Sequence, residues 1–207
     1  MASRRISAML GSEASAYHMA LVCFLLGLVG AVAMVILTPP FQVPDEGQHF
    51  LHAYHLSELQ VRSVVRDGAV GAMLPSSLIE LIEEFLGTRA NHTPELRPIT
   101  AQPLRRTWLA LDRPLDPDRR EFLVFPLAMY PPPPYLPQPV ATAAGRWLGA
   151  GPLALLYLGR LANALVAVAV FAWAVRLMPV GRAMAMLFGC CQWPPTSMPR
   201  SRQMRRQ

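Results

Sequence analysis

Apolar residues are concentrated in two long runs rather than spread along the chain. From Met19 to Leu37 no residue carries a charge or a strongly polar side chain. As a helix this run is about 28 Å long at about 1.5 Å per residue, close to the roughly 30 Å hydrocarbon core of a bilayer. In lipid the backbone must satisfy its own hydrogen bonds, so a run of this kind is helical. Thr38-Pro39-Pro40 ends it. The second run, Leu161 to Val175, is broken only by Asn163 and flanked by Arg160 and Arg176. Apolar residues upstream extend it, and the predicted span is 158–178, with Tyr157 and Trp173 at interfacial depths. After a turn at Pro179-Val180-Gly181-Arg182 a third run starts at Ala183 but reaches only Cys191, too short to cross. The predicted class is therefore a mainly α, integral membrane protein with two transmembrane helices and an incomplete third.

The stretch 38–157 between the spans is helical and loop-rich. Pro44-Asp45-Glu46 has the form of a helix start, with Asp45 as N-cap and Glu46 in the first turn, and predicts a helix over 45–59. Gly68 and Gly71 break the pattern. Ser77-Leu78-Ile79-Glu80 has capping-box spacing and predicts a second helix over 77–86 that buries Leu78, Ile79, Leu81, Ile82, Phe85 and Leu86. From Thr88 to Tyr130 no period is sustained, which predicts extended loop with a short strand at Glu121–Phe125. Asn91-His92-Thr93 has the form of a glycosylation sequon, a triplet common by chance. Tyr130 to Pro139 is proline-rich and predicts a stiff polyproline-like lead into the next helix.

Composition sharpens this picture. The chain has 207 residues, 53% hydrophobic and 15% charged, against about 45–50% and about 25% in ordinary soluble domains. That excludes wholesale disorder. Three cysteines exclude a disulfide framework. Net charge is +6, carried by arginine alone. A basic and hydrophobic chain fits a membrane better than a nucleic acid, so no nucleic-acid partner is expected. Arg4 and Arg5 precede the first span, and the next basic residue after it is Arg62. The positive-inside rule then makes residues 1–18 a cytoplasmic N-terminus and 38–157 extracytoplasmic, in the inner membrane. A cleavable signal peptide ending near Ala31-Val32-Ala33 is disfavoured because the apolar residues continue to Leu37.

The densest polar cluster follows the first span: Asp45, Glu46, His49 and His52. On a helix Asp45, His49 and His52 fall within about 60° of one another, with Glu46 in reach. Such a face can take a proton from an acceptor hydroxyl, hold a divalent metal ion, or merely cap a helix. Its spacing is not that of a zinc motif. Arg160, at the start of the second span, can bind a phosphate or snorkel to the interface. Arg105-Arg106 and Arg119-Arg120 are expected to be solvated loop charges. Cys23, Cys190 and Cys191 lie in no redox or metal motif.

The order of three segments resembles a known family. Thr38-Pro39-Pro40-Phe41-Gln42-Val43-Pro44-Asp45-Glu46-Gly47-Gln48-His49-Phe50 is similar to the opening of a bacterial membrane-protein family, domain-of-unknown-function family 2142. Tyr130-Pro131-Pro132-Pro133-Pro134-Tyr135-Leu136-Pro137-Gln138 and Arg160-Leu161-Ala162-Asn163 are similar to later segments of it. That family is grouped with the GT-C integral membrane glycosyltransferases. The resemblance implies a multi-span fold with its site at the outer face and a sugar donated from a polyprenyl-phosphate carrier. The role of base or metal ligand then falls to Asp45, with Glu46 and His49 beside it, and Arg160 faces the carrier phosphate.

The resemblance also marks a departure. The family continues through further spans, whereas here the third run gives way to proline and arginine over 192–207. A frameshift or truncation produces such a switch, so this tail is expected to be non-native and the chain to be an N-terminal portion without turnover. Two other functions compete: a non-catalytic two-span protein whose outer segment binds a partner, and a metal-dependent hydrolase using Asp45, His49 and His52.

Overall fold

The computed structural model describes residues 2–86, 104–178, 181 and 184–185. Helix α1 (Ala2–Leu37) is followed by α2 (Glu46–Ser57), β1 (Val64–Arg66), β2 (Ala69–Pro75) and α3 (Ser76–Leu86). Then come α4 (Leu104–Leu111), β3 (Arg120–Val124), α5 (Pro137–Trp147) and α6 (Pro152–Leu177). The chain is thus mainly α-helical. Two segments, Ser15–Leu37 and Pro152–Leu177, are long and apolar enough to cross a membrane. Of their most apolar stretches only 11% and 22% is buried inside the protein. A soluble core helix hides such a surface, whereas these two present it outward, as lipid-facing helices do.

Leu37 ends α1, with the Thr38 amide still donating to Met34 O at 2.9 Å before the prolines. At its other end α1 reaches back to Ala2, well before Met19. Helix α6 likewise starts at Pro152, six residues before the expected 158, because proline suits the first turn of a helix. The triplet at Asn91 and the rest of the third run and the tail from Met186 on lie outside the described residues.

The chain forms two compact units, Met1–Val29 with Val168–Gln207 and Gly30–Ala167. In the first, Cys23, Ala172 and Val175 are buried together with Phe24 and Ala185 against them. Gly27 allows close helix packing there: a Cβ on it would lie 3.1 Å from Val168 Cγ1. Arg176 lies over the Tyr17 ring at 5.5 Å.

The second unit has its own core. Phe41, Tyr54, Leu74, Leu78, Leu81, Phe125, Leu153 and Leu155 are buried together. Strands β1, β2 and β3 form an antiparallel sheet in that order, with Val64 opposite Gly71 and Gly71 opposite Val124. Helix α2 is buried at every residue from Phe50 to Ser57.

Several local expectations are corrected. Asp45 occupies the N-cap position of α2, but its backbone is left-handed (φ 59°) and its side chain makes no cap bond. An N-cap side chain reaches the first amides from extended backbone, which Asp45 lacks. Ser77 lies inside α3 instead of capping it. Its hydroxyl accepts from the Asp116 amide at 3.4 Å, and Glu80 pairs with Arg119 at 2.8 Å. The helical pattern does end before Gly68 and Gly71, which lie in a hairpin. Asp67 (φ 50°) and Gly68 (φ 77°) form the two-residue turn of a hairpin. The region expected to be loop contains α4. The proline run is not polyproline-like throughout: Pro133–Tyr135 forms a 3₁₀ turn and α5 begins at Pro137.

Candidate functional site

Glu46, the first residue of α2, faces α6. Arg160 grips it bidentately, Nε to Oε1 at 2.6 Å and Nη2 to Oε2 at 2.8 Å. Both side chains are nearly buried, at 11% and 12% exposure. The other Arg160 donors turn to the end of α1: Nη1 reaches Thr38 O at 2.7 Å and Val35 O at 3.4 Å, and Nη2 reaches Pro39 O at 3.0 Å. A helix end leaves its last carbonyls without intrahelical partners, and a cation there also meets the negative end of the helix dipole. All five donors of this guanidinium are spent inside the chain. The guanidinium also lies over the Tyr157 ring at 5.3 Å.

Beside the ion pair is a cavity of about 30 Å³ lined by Glu46, His49, Gln138, Thr142, Gly159 and Arg160 with apolar neighbours. That is room for one or two waters, or for a single small polar group. His49 enters it with one ring nitrogen committed, since Nδ1 and the Tyr135 hydroxyl are 3.0 Å apart. The Tyr135 ring stacks on His49, with centroids 5.7 Å apart, and meets His52 edge-on at 4.6 Å. The 3₁₀ turn Pro133–Tyr135, closed by the Tyr135 amide donating to Pro132 O at 2.9 Å, carries this tyrosine there. Burial raises the Tyr135 pKa above its ordinary value, helped by Tyr130.

His49, His52 and His55 recur at three-residue intervals, so they run along α2 in a shallow spiral. His52 and His55 are each 1% exposed, and neither makes a well-formed hydrogen bond among the described residues. Burial lowers the His52 pKa from 6.5 to about 4, aided by His55 and His49 and opposed weakly by the Tyr130 backbone. Burial also lowers the His55 pKa, against Glu58 and the Arg62 backbone. Both are therefore neutral at pH 7 and pack against Phe125 at 6.4 and 6.0 Å.

At the far end of α2, Glu58 gathers two arginines. Arg146 donates to Glu58 Oε1 and to Ser57 Oγ, each at 3.2 Å, and Arg120 also binds Glu58. Arg146 lies over the Tyr54 ring at 4.8 Å. Arg120 is exposed as expected but lies in β3 and not in a loop, and it pairs with Glu58; Arg119 is exposed and pairs with Glu80.

Of the five residues singled out in the sequence, the fold brings Glu46, His49 and Arg160 to one cavity. Asp45 is exposed and does not line it. Asp45, His49 and His52 do not converge on a point, and no group of three His, Cys, Asp or Glu able to hold a metal ion occurs among the described residues. The residues present do not fit the divalent metal considered for this face. Sequence reasoning gave no site role to Gln138 and Thr142, which reach the cavity through α5, or to Tyr135, which the turn sets against His49.

A family model described as predicted membrane protein, domain of unknown function 2142, matches residues 26–197. No curated protein and no solved structure matches the chain.

Proposed function

The chain belongs to that family of predicted membrane proteins, and we propose that it carries the proton-transfer part of a GT-C-like glycosyltransferase site fed by a polyprenyl-phosphate-linked sugar. The observation that carries this reading is the shared cavity. There His49, fixed through Nδ1 by Tyr135, stands beside the Glu46–Arg160 pair where the two spans meet the folded segment. With Nδ1 donating to the Tyr135 oxygen, Nε2 holds the lone pair and takes the proton of an acceptor hydroxyl. Glu46, with both oxygens bound by Arg160, is engaged within the chain and serves to hold α2 against α1 and α6. Arg160 acts through Glu46 and has no donor left for a carrier phosphate. Asp45, exposed at the start of α2, carries the role implied by family resemblance only if the donor closes over it. In this reading the site faces outward from the inner membrane and the N-terminus is cytoplasmic.

The test needs no turnover. Diethyl pyrocarbonate modifies neutral, accessible imidazoles, so a ligand seated at the cavity shields His49. Proteoliposomes holding the full chain are treated with and without a polyprenyl-phosphate-linked hexose, and modification is read by peptide mass spectrometry. The reading expects protection of His49, unchanged reaction at exposed His18, and weaker protection in Asp45→Asn. Absence of protection by any such donor removes it.

The second reading, a non-catalytic membrane protein, draws on the internal use of every Arg160 donor. It treats the Glu46–Arg160 pair as a joint between elements, and it predicts that His49 stays reactive whatever donor is added.

A further inference from the structure

A second, larger cavity lies on the other side of the same junction. It is a groove of about 550 Å³, walled by the last turns of α1, the first turns of α6, and α4. We propose that this groove holds one acyl chain of a bilayer phospholipid.

The groove is continuous with the surface that the spans present to lipid. Ile36 and Leu37 on its α1 wall are 66% and 73% exposed, and the outward face of α1 continues through Val29 at 70%. Helix α4 forms its third side with Thr107, Trp108 and Leu111, while Trp108 and Leu109 are 68% and 62% exposed. A short helix with a bare tryptophan and leucine, set beside the ends of two spans, lies where the acyl region gives way to headgroups. Open apolar surface of this size is unfavourable in water and is filled by whatever apolar material adjoins it. Here that material is the bilayer.

The chemistry of the walls chooses the chain over the headgroup. No charged side chain lines the groove among the described residues. Arg160 neighbours Leu161 on the groove wall but spends every donor elsewhere. The described walls offer hydrocarbon contacts and no phosphate ligand, so they recognise the acyl chain. The occupant is therefore drawn from the abundant phospholipid and not from a scarce lipid selected by its head. This inference stands apart from the proton-transfer reading, because it uses neither His49 nor Glu46.

The full chain is reconstituted in phosphatidylcholine carrying a photoactivatable diazirine on its acyl chain, and adducts are mapped by mass spectrometry. Adducts are expected at Leu111 and Leu158 inside the groove as well as at outward-facing Val29. Ala154→Phe and Val32→Phe fill the groove from different walls, so a folding failure in one leaves the other to decide. Each is expected to cut the groove adducts several-fold while the Val29 adduct persists. The proposal is overturned if Val29 is labelled without the groove, or if both fills leave the groove adducts unchanged. It is equally overturned if a small mole fraction of unlabelled polyprenyl phosphate displaces them, which makes the groove a carrier site.

Discussion

Arg160 and Glu46, separated by 114 residues in sequence, meet through two parallel hydrogen bonds of 2.6 and 2.8 Å while the same guanidinium caps the carbonyls ending α1. One side chain thus ties α1, α2 and α6 together. At 11% and 12% exposure the pair is shielded from solvent. Removing one partner leaves the other charge buried, a cost of about 3–5 kcal/mol. Arg160→Gln and Glu46→Gln are each expected to lower the melting temperature in detergent sharply, and the double variant by less than the sum. Arg160→Lys is expected to rescue only part, since an ammonium cannot make the planar fork. Additive losses in the double-mutant cycle would show that the two residues do not act as a pair.

The three histidines of α2 differ in access. His49 lines the cavity, whereas His52 and His55 are 1% exposed. In the absence of any donor, diethyl pyrocarbonate is expected to modify His49 far faster than His52 or His55. Tyr135→Phe removes the hydroxyl that fixes His49 Nδ1 and is expected to change the rate at His49 without exposing the other two. Equal modification of all three would mean that α2 is not buried as described.

What was legible in sequence follows from the range of the forces involved. The spans, the end of α1 at Thr38-Pro39 and the start of α2 are written in local pattern and proline chemistry, and α1, α2, α3 and α6 lie where those signals point. Asp67-Gly68 is also a local signal, a hairpin turn dipeptide between Val64-Val65 and Ala69-Val70. The short α4 was not legible: its eight residues carry no cap signal, and its helical form rests on tertiary contacts. The same holds at the cavity. Glu46, His49 and Arg160 stand out as charged residues beside apolar runs. Tyr135, by contrast, is a tyrosine among prolines until the 3₁₀ turn sets its ring against His49.

The hairpin offers a steric test. Gly71 is paired on both sides, and a Cβ built on it collides with the Leu123 carbonyl oxygen of β3. Gly71→Ala must push the central and third strands apart, and it is expected to cost more than about 2 kcal/mol, beyond the usual range for a surface change. Gly68→Ala meets nothing within 4 Å and bears only the strain of φ +77°, about 1–2 kcal/mol. Thermal melting of the two variants should therefore rank Gly71→Ala as the more damaged. The reverse order would place the strain at the turn and not at the β2–β3 contact.

Buried histidine makes the folded segment sensitive to acid. His52 titrates near 4 in the folded chain and at 6.5 once unfolded. Above pH 6.5 it is neutral in both states and costs nothing. As the pH falls below 6.5 the unfolded chain binds a proton that the folded chain refuses. Stability therefore drops by roughly 1 kcal/mol per pH unit until about pH 4. His55, lowered in the same direction, adds to the slope. Other ionisable groups respond to acid as well, so the slope of the wild-type chain alone does not isolate histidine. His52→Gln keeps a polar side chain of similar size without the titration. Its melting temperature, followed from pH 7 to pH 4.5, should fall less steeply than that of the wild type, with the two curves converging or crossing towards the acid end. Parallel curves across that window would mean that His52 is accessible to protons in the folded state, contrary to its burial beneath Tyr135 and Phe125.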